Sequence, residues 1–526
     1  MIDTHRVAPK VLWGSAGLAS IPALLLFPVW NKIFAGQLGS AVLTTFMGWL
    51  WITIIFISAV VLWREEEDRF FGPASYIICL STALSGFWLL VFFPAVMSVD
   101  SLALWQGALN NRYSNWQPPL LAMLMHFTQS LAKTPSLFSF IQGALFWGAL
   151  FYLIRQVAQG YRLFLVSSVL VVLLPPLWLH SNATASTTWG AVFLMLAMAF
   201  LIRSIKGQRE ISFYLSILSL SIAVMFRREA VLCAIVPIVT YLFFFKQKGG
   251  LAKKALVTAI VIVLTIMPGR VIELSPHVVR MSGSQSHGLL NQYVGTVVHS
   301  MRLMSREEID KERQAIDGEF GKGVFRRLIR RYDCRSADYI IYNRHFPRVL
   351  KRIPKEKNLF ILKKVVQTAI RHPGGYLKHQ VCHFGQLVQF SGIAYQSWGL
   401  LEKDPNYEAR RAQLGIPYRT QLPSIKAGYI RLMNASLKSP VFSLLYRHYI
   451  FLLFSSLFLV AGFITRRIEW IIPSFFSLVL VVAYLLTGPA GLWRYLLPSY
   501  LAAWVYLPAV LSSILRPPTG QGEKKR

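Results

Sequence analysis

Apolar segments of about twenty residues, joined by loops of only a few residues, fill most of this chain. A segment of that length and character is matched to the hydrocarbon thickness of a bilayer. Of the residues, 54% are hydrophobic, and the mean hydropathy is +0.47. No soluble globular domain is expected to be that apolar. About twelve segments reach spanning length. They lie near Val11–Trp30, Ala41–Trp63, Ala74–Phe93, Pro135–Ile154, Leu163–Leu179, Ala183–Ile202, Ile211–Phe226, Ala230–Phe245, Ala255–Ile272, Phe442–Ile464, Ile468–Leu486 and Tyr495–Leu515. The first follows a short basic leader, but Lys32 follows it without a small-x-small cleavage site, so it is read as a retained anchor. The expected fold class is an all-α polytopic membrane protein.

Orientation follows from the cations. With the N-terminus inside, the inner loops carry Arg155 and Arg162, then Arg203, Lys206 and Arg209, then Lys246, Lys248, Lys253 and Lys254, then Arg466 and Arg467. Arg516 and the Lys524-Lys525-Arg526 tail fall on the same side. The short opposite loops near Gly36–Ser40 and His180–Ala183 carry none, apart from Lys32 at the edge of the first. This asymmetry predicts N-in and C-in. Two clusters break it: Arg227-Arg228 and Arg494 stand on the outer face, where the lone acid Asp100 also falls. Cations placed against the topological bias point to an anionic ligand there.

The chain divides into residues 1–272, an N-terminal membrane module with an outer loop at 94–134; 273–440, a long outer segment; 441–515, the last spans; and 516–526, a basic inner tail. The 273–440 segment holds about 28 Lys/Arg against about 13 Asp/Glu, a basic surface suited to polyanions. On an outer face that favours anionic lipid or glycan, and nucleic acid is not expected. The segment reads as mostly helical. Ser305 and Glu308 have capping-box spacing. Leu359, Leu362, Val366 and Ala369 have a helical period, His372-Pro373-Gly374-Gly375 breaks it, and Tyr376–Phe390 resumes a helix. Basic amphipathic helices of this kind suit a membrane surface. Cys334 and Cys382 share this segment, where an oxidising compartment permits a disulfide, whereas Cys79 and Cys233 read as apolar fillers within spans. His379 and His383 have the i, i+4 spacing of metal ligands, but no third ligand is evident, so no metal or other cofactor is assigned. Asn182-Ala183-Thr184 and Asn434-Ala435-Ser436 match the N-glycosylation pattern, which is a frequent chance match.

The 94–134 loop reads MSVDSLALWQGALNNRYSNWQPPLLAMLMHF over its central part. Asp100 precedes a short amphipathic stretch, Leu102–Leu109. Pro118-Pro119 then starts an apolar helix too short to span, such as lines a cavity at the membrane. This loop, the Phe226-Arg227-Arg228-Glu229 segment and the Arg494-Tyr495-Leu496-Leu497-Pro498 entry to the last span come in an order that resembles the GT-C superfamily of membrane glycosyltransferases. That family includes the protein O-mannosyltransferases and the lipid A aminoarabinose transferase. Bacterial members of unassigned substrate, with a similar "MS-x-DS … YSNW-x-PP" loop, look closest. The chain departs from the family at Gln117, where relatives often have His or Lys, and in having two spans before the one that leads to the acid loop.

The resemblance implies a GT-C-like fold of about twelve spans with a mostly helical extracytoplasmic domain. It also implies a polyprenyl-phosphate sugar donor, and inverting transfer to an envelope glycan, lipid or protein at the periplasmic or exterior face of a bacterial inner membrane. Asp100 then serves as the base that takes the acceptor's proton. By its residue type it equally suits a helix N-cap. Arg227, Arg228 and Arg494 are the candidates for the lipid phosphate, since a planar guanidinium meets phosphate with two bonds and stays charged near lipid. Each can alternatively snorkel to headgroups or pair with Glu229. Arg270 and Arg280 are weaker candidates. Trp105, Gln106, Asn115, Trp116, Gln117 and Tyr495 are expected to line the substrate cleft. Two other functions fit a cationic site at lipid-phosphate depth: a flippase or transporter of lipid-linked sugars, and a glycan polymerase. A non-enzymatic scaffold whose basic domain binds an anionic polymer also remains open.

Overall fold

The computed structural model describes residues 73–115, 117–158, 160–207, 210–244, 251–279, 284–341, 346–347, 350, 353–354, 356–390, 405–416, 420–487, 493–507 and 510. The first two expected spans, the C-terminal tail, Trp116 and Arg280 lie outside the described residues. The chain begins with α1 (Pro73–Val91), α2 (Val99–Leu109), β1 (Tyr113–Ser114) and α3 (Leu120–Leu131). There follow α4 (Ser136–Val157), α5 (Tyr161–Val172), α6 (Pro175–Asn182), α7 (Ser186–Gly207) and α8 (Glu210–Phe226). A 3-10 turn at Arg228–Ala234 leads to α9 (Ile235–Phe244), α10 (Leu251–Glu273) and β2 (Val278–Val279). The long segment supplies α11 (Ser284–Ser300), α12 (Arg306–Phe320), α13 (Val324–Arg330), α14 (Asp338–Ile341), α15 (Lys357–Arg371), α16 (Pro373–Leu387), α17 (Pro405–Gln413) and α18 (Pro423–Lys438). The chain closes with α19 (His448–Thr465), α20 (Ile468–Thr487), a 3-10 turn at Trp493–Leu496 and α21 (Leu497–Trp504).

Among the described residues, six helices are long and apolar enough to cross a membrane: Ala74–Val91, Ser136–Val157, Ser186–Gly207, Lys254–Glu273, His448–Thr465 and Ile468–Leu486. The α5–α6 pair makes a seventh if counted as one broken span, bent by 77°. The bend has a local cause. Pro175-Pro176 removes two N–H donors, and a residue before proline is pushed out of the helical region. Leu174 accordingly sits at φ −79°, ψ 109°. The expected Ile211–Phe226 span is one helix, Glu210–Phe226, of 17 residues. Two expected spans take other forms within the described residues: Ala230–Phe245 is a 3-10 turn followed by ten helical residues, and the described start of Tyr495–Leu515 is a 3-10 turn and an eight-residue helix. A hydropathy window registers apolar content but not the breaks that Pro498 and the Arg227-Arg228 pair introduce.

The bundle packs α1 on α4, α4 on α7, α7 on α8, α8 on α10 and α19 on α20, with α20 and α21 closing against α7. Lipid cannot hydrogen-bond the carbonyls freed where α6 ends, so neighbouring side chains must do so. Gln142 Nε2 donates to the carbonyls of Ser181 (3.2 Å) and Ala183 (2.8 Å), Ser139 Oγ to that of Asn182 (3.3 Å) and Thr188 Oγ1 to that of His180 (3.1 Å). Asn182 is fully buried here, which removes it as a glycan acceptor.

The bundle has two chemically different ends. Arg203 donates to the Tyr152 hydroxyl (3.0 Å), Lys206 to the Gln156 carbonyl (2.9 Å), and Lys206 lies 3.8 Å from Glu469, at the start of α20. The loops assigned to the inner side therefore converge. At the other end of α20, Gln292 of the long segment donates to the Leu486 carbonyl (2.9 Å).

The long segment is helical and has its own core. Helix α11 runs between α15 and α16, and Leu290, Tyr293, Val297, Ile316, Phe325, Leu328, Ile361 and Val365 pack together. Ser305 caps α12 by accepting from the Glu308 N–H (3.1 Å), while the Glu308 carboxylate meets His372 (3.1 Å). Buried Glu312 accepts from Tyr293 (2.8 Å) and Lys364 (2.7 Å), which compensates its removal from water. Cys334 and Cys382 form a disulfide across Cα atoms 5.9 Å apart. Strands β1 and β2 pair in parallel, Tyr113 with Val278 and Ser114 with Val279, and so join the 94–134 loop to the start of this segment.

Candidate active site

Asp100 is held by the start of α2, which the chain builds with care. Val96 bridges to Ala183: its N–H donates to the Asn182 carbonyl (3.4 Å) and its carbonyl accepts from Thr184 (2.9 Å). Ser98 is the N-cap. It and Ser101 cap one another reciprocally, at 3.2 Å in each direction, and Ser101 Oγ also donates to the Thr184 carbonyl. The cap role available to Asp100 by residue type therefore belongs to Ser98. Asp100 stands in the first helical turn instead, where the helix dipole favours a carboxylate. Its Oδ2 accepts from Arg494 Nη2 at 3.2 Å, across 394 residues of sequence.

Arg494 comes from the 3-10 turn that precedes α21. Its neighbour Tyr495 stacks on Tyr484 of α20, ring centroids 5.2 Å apart and planes within 4°. Arg227 lies against this pair, its Cζ 4.8 Å from the Tyr495 centroid and 5.4 Å from that of Tyr484. Its Nε donates to the Tyr484 hydroxyl (3.0 Å) and stands 3.4 Å from Glu229. A continuous path thus runs Asp100, Arg494, Tyr495, Arg227, which brings Arg227, though not its neighbour Arg228, together with Arg494. Room for Arg227 comes from Gly190 of α7: a Cβ there would sit 2.6 Å from Arg227 Cγ.

Arg228 goes elsewhere. Arg227 is extended (φ −145°, ψ 101°) between α8 and the 3-10 turn, so successive side chains point apart. Arg228 pairs with Glu273 at 2.6 Å and donates to the Asn115 carbonyl (3.0 Å). Exposed Arg270 joins the same carboxylate at 3.5 Å. Arg228 and Arg270 are thus tied to Glu273, whereas Arg227 and Arg494 flank Tyr495.

The expected cleft residues divide in the same way. Trp105 is 1% exposed and packs among Leu102, Phe138 and Phe226, so it forms the apolar floor beneath α2 rather than a free aromatic face. Gln106 is on the opposite face, exposed, and accepts from Arg410 of α17 (3.2 Å). Asn115 is buried, and its N–H donates to the Val279 carbonyl (3.2 Å). Gln117 is half-buried, Tyr495 is buried in the stack described above, and Trp116 lies outside the described residues.

Sequence reasoning missed four participants: Tyr484, Gly190, Glu273 and the α17 strap, in which Tyr407 donates to the Met97 carbonyl just ahead of Asp100. A tyrosine near the end of an apolar span and a glycine inside one carry only weak signals by themselves.

His379 and His383 stack with centroids 6.2 Å apart and planes within 8°, but each has a structural partner. His379 Nδ1 lies 2.6 Å from the Tyr332 hydroxyl, and His383 Nδ1 lies 3.2 Å from the Cys334 carbonyl. Burial, helped by His383 and His299, pushes His379 down to about 3. Among the described residues, no group of three or more His, Cys, Asp or Glu side chains could hold a metal ion.

No protein-family model, no curated protein and no solved structure matches the chain.

Proposed function

We propose that this chain is an inverting membrane glycosyltransferase of the GT-C type. It moves a sugar from a polyprenyl phosphate to a hydroxyl of an envelope glycan, lipid or protein at the outer face of a bacterial inner membrane. The observation that carries the proposal is the pairing of Asp100 with Arg494, with Arg227 one aromatic ring away. A carboxylate beside two guanidinium groups supplies the two things such a transfer needs, a proton acceptor and an anion clamp.

In this proposal the acceptor oxygen attacks the anomeric carbon as the bond from that carbon to the phosphate oxygen breaks. The acceptor proton passes to Asp100, and the polyprenyl phosphate leaves with one more negative charge than the diester carried. Arg494 and Arg227 meet that growing charge, where preorganised donors are worth most. Arg494 also links the two halves, since the guanidinium that contacts Asp100 is one of the two that would meet the donor phosphate.

Asp100→Asn tests the proposal. The amide keeps the shape and can still accept from Arg494, but it cannot take a proton. The expected outcome is a protein that inserts and folds normally yet loses about 10²–10⁴-fold in transfer from a purified polyprenyl-phosphate sugar. Turnover by the Asn variant at the wild-type rate would end the assignment. Lipid movement by the purified wild-type protein in vesicles, without sugar transfer, would favour the flippase alternative.

A further inference from the structure

Helices α15 and α16 each bury one face and carry a separate apolar stripe on another. On α15, Ile361 and Val365 are buried toward α11, while Leu359 (74% exposed), Leu362, Val366 and Ile370 (75% exposed) face outward. On α16, His379, His383 and Leu387 are buried, while Leu377, Val381 and Phe384 are exposed. At about 100° per residue, each outward stripe spans roughly 60–80° of arc and is centred about 130° from the buried face. A helix that packs one face on a domain core and meets water with the other has no reason to line the water-facing side with apolar residues. Scattered exposed leucines need no explanation, but two aligned stripes on adjacent helices do.

Two further observations identify the occupant. Neither helix contains an acid, and Lys363, Arg371 and Lys378 stand exposed on them. The far end of α16 also abuts the first turn of α19. Tyr449 N–H donates to the Val388 carbonyl (3.0 Å), Arg447 Nη1 to that of Gln389 (3.3 Å), and the exposed Phe390 ring meets Tyr449 edge-on at 5.4 Å. From there α19 exposes Leu453, Phe454, Leu457 and Val460, the surface a spanning helix offers to lipid. The outward stripe of α16 therefore leads into a lipid-facing surface.

We infer that the α15–α16 hairpin is an interfacial membrane-docking element whose outward stripes enter the headgroup region of an anionic bilayer. Lys363, Arg371 and Lys378 hold lipid phosphates, while the apolar stripes reach about 5–10 Å into the boundary with the acyl chains. This does not rest on the catalytic proposal. Its consequence is that the long segment is fixed to the bilayer at a second place, apart from the helices that span it.

The test uses the full-length chain with Cys79 and Cys233 replaced by Ala and the disulfide kept. Single cysteines at Leu362, Val381 and, as an aqueous control on α12, Arg313 are labelled with an environment-sensitive fluorophore. The protein is placed in nanodiscs of phosphatidylcholine with phosphatidylglycerol, open to solvent on both faces. The probes at 362 and 381 should be blue-shifted, quenched by brominated lipid and shielded from iodide, and the probe at 313 should show the reverse. Iodide quenching at 362 and 381 equal to that at 313 would overturn the inference. Shielding from iodide without bromine quenching, together with cross-linking between copies, would assign the stripe to a second copy and overturn it equally. Lys363→Glu with Lys378→Glu should reduce the bromine quenching in anionic discs and leave it unchanged in pure phosphatidylcholine. No difference between the two lipids would remove anionic lipid as the ligand.

Discussion

Gly190→Ala isolates the geometry that brings Arg227 and Arg494 together. The added methyl would lie 2.6 Å from Arg227 Cγ and 3.3 Å from its Cβ. Carbon atoms settle at about 3.5–4.0 Å, so Arg227 must retreat by roughly 1 Å. It is poorly free to do so, because its guanidinium is held by the Tyr484 hydroxyl, by Glu229 and by the Tyr495 ring. Overpacking of this kind costs about 1–3 kcal/mol. Replacing glycine within a helix returns up to about 1 kcal/mol. Net destabilisation of about 1–2 kcal/mol is expected by thermal unfolding in detergent. If Arg227 instead gives way, it loses a cation–π contact worth about 0.5–2 kcal/mol. A displacement of about 1 Å at a phosphate clamp should also cost about 10²-fold in transfer rate. The decisive assay is the double-mutant cycle. In an Arg227→Ala background the 2.6 Å clash is gone and only the 3.3 Å approach to the residue's Cβ remains, so most of the cost of Gly190→Ala should disappear, with a coupling of about 1–3 kcal/mol. Additivity within about 0.5 kcal/mol, or a Gly190→Ala protein as stable as wild type, would refute the steric account.

Arg494→Ala should impair donor use more than acceptor binding, by about 10²–10³-fold in rate, and Arg494→Lys should rescue only part of it, because a point charge cannot reproduce the planar fork. Kinetics at varied donor concentration check this, and a Lys variant equal to wild type would make Arg494 a simple counter-charge for Asp100. The long segment should lose stability in acid. His379 is neutral when buried, with its value lowered from 6.5 to about 3, so the unfolded chain binds the extra proton between those limits. Stability is then fully present above pH 6.5 and falls by up to about 1.4 kcal/mol per pH unit below it. His379→Gln should flatten that slope in unfolding curves, and an unchanged slope would assign the acid lability elsewhere. Finally, a cysteine at Gly321 in intact cells should react with an impermeant thiol reagent, and one at Gly207 should not. The reverse pattern would invert the topology and move Asp100 to the cytoplasmic side.

The helical, multi-span character of the chain is legible in its sequence. Apolar length marks helices such as Ser136–Val157 and Ser186–Gly207, because hydrocarbon selects for an unbroken hydrogen-bonded helix of about that length. Cation spacing groups Arg203 and Lys206 with the 466–467 loop, and Lys206 lies 3.8 Å from Glu469 beside that loop. The anomaly of Arg227 and Arg494 was visible for the same reason: charge is costly at the membrane, so each exception stands out. Other features belong to the tertiary structure alone. Sequence could not say that Ser98 rather than Asp100 caps α2, since either residue type suits the cap and backbone register decides between them. Nor could it separate Arg227 from Arg228. Adjacent in the chain, they diverge because one extended residue turns the first toward Tyr495 and the second toward Glu273. The Asp100–Arg494 contact spans 394 residues and depends on how α20, α21 and α2 pack, so no local pattern encodes it. A sequence records which groups are costly to bury, and packing determines which of them meet.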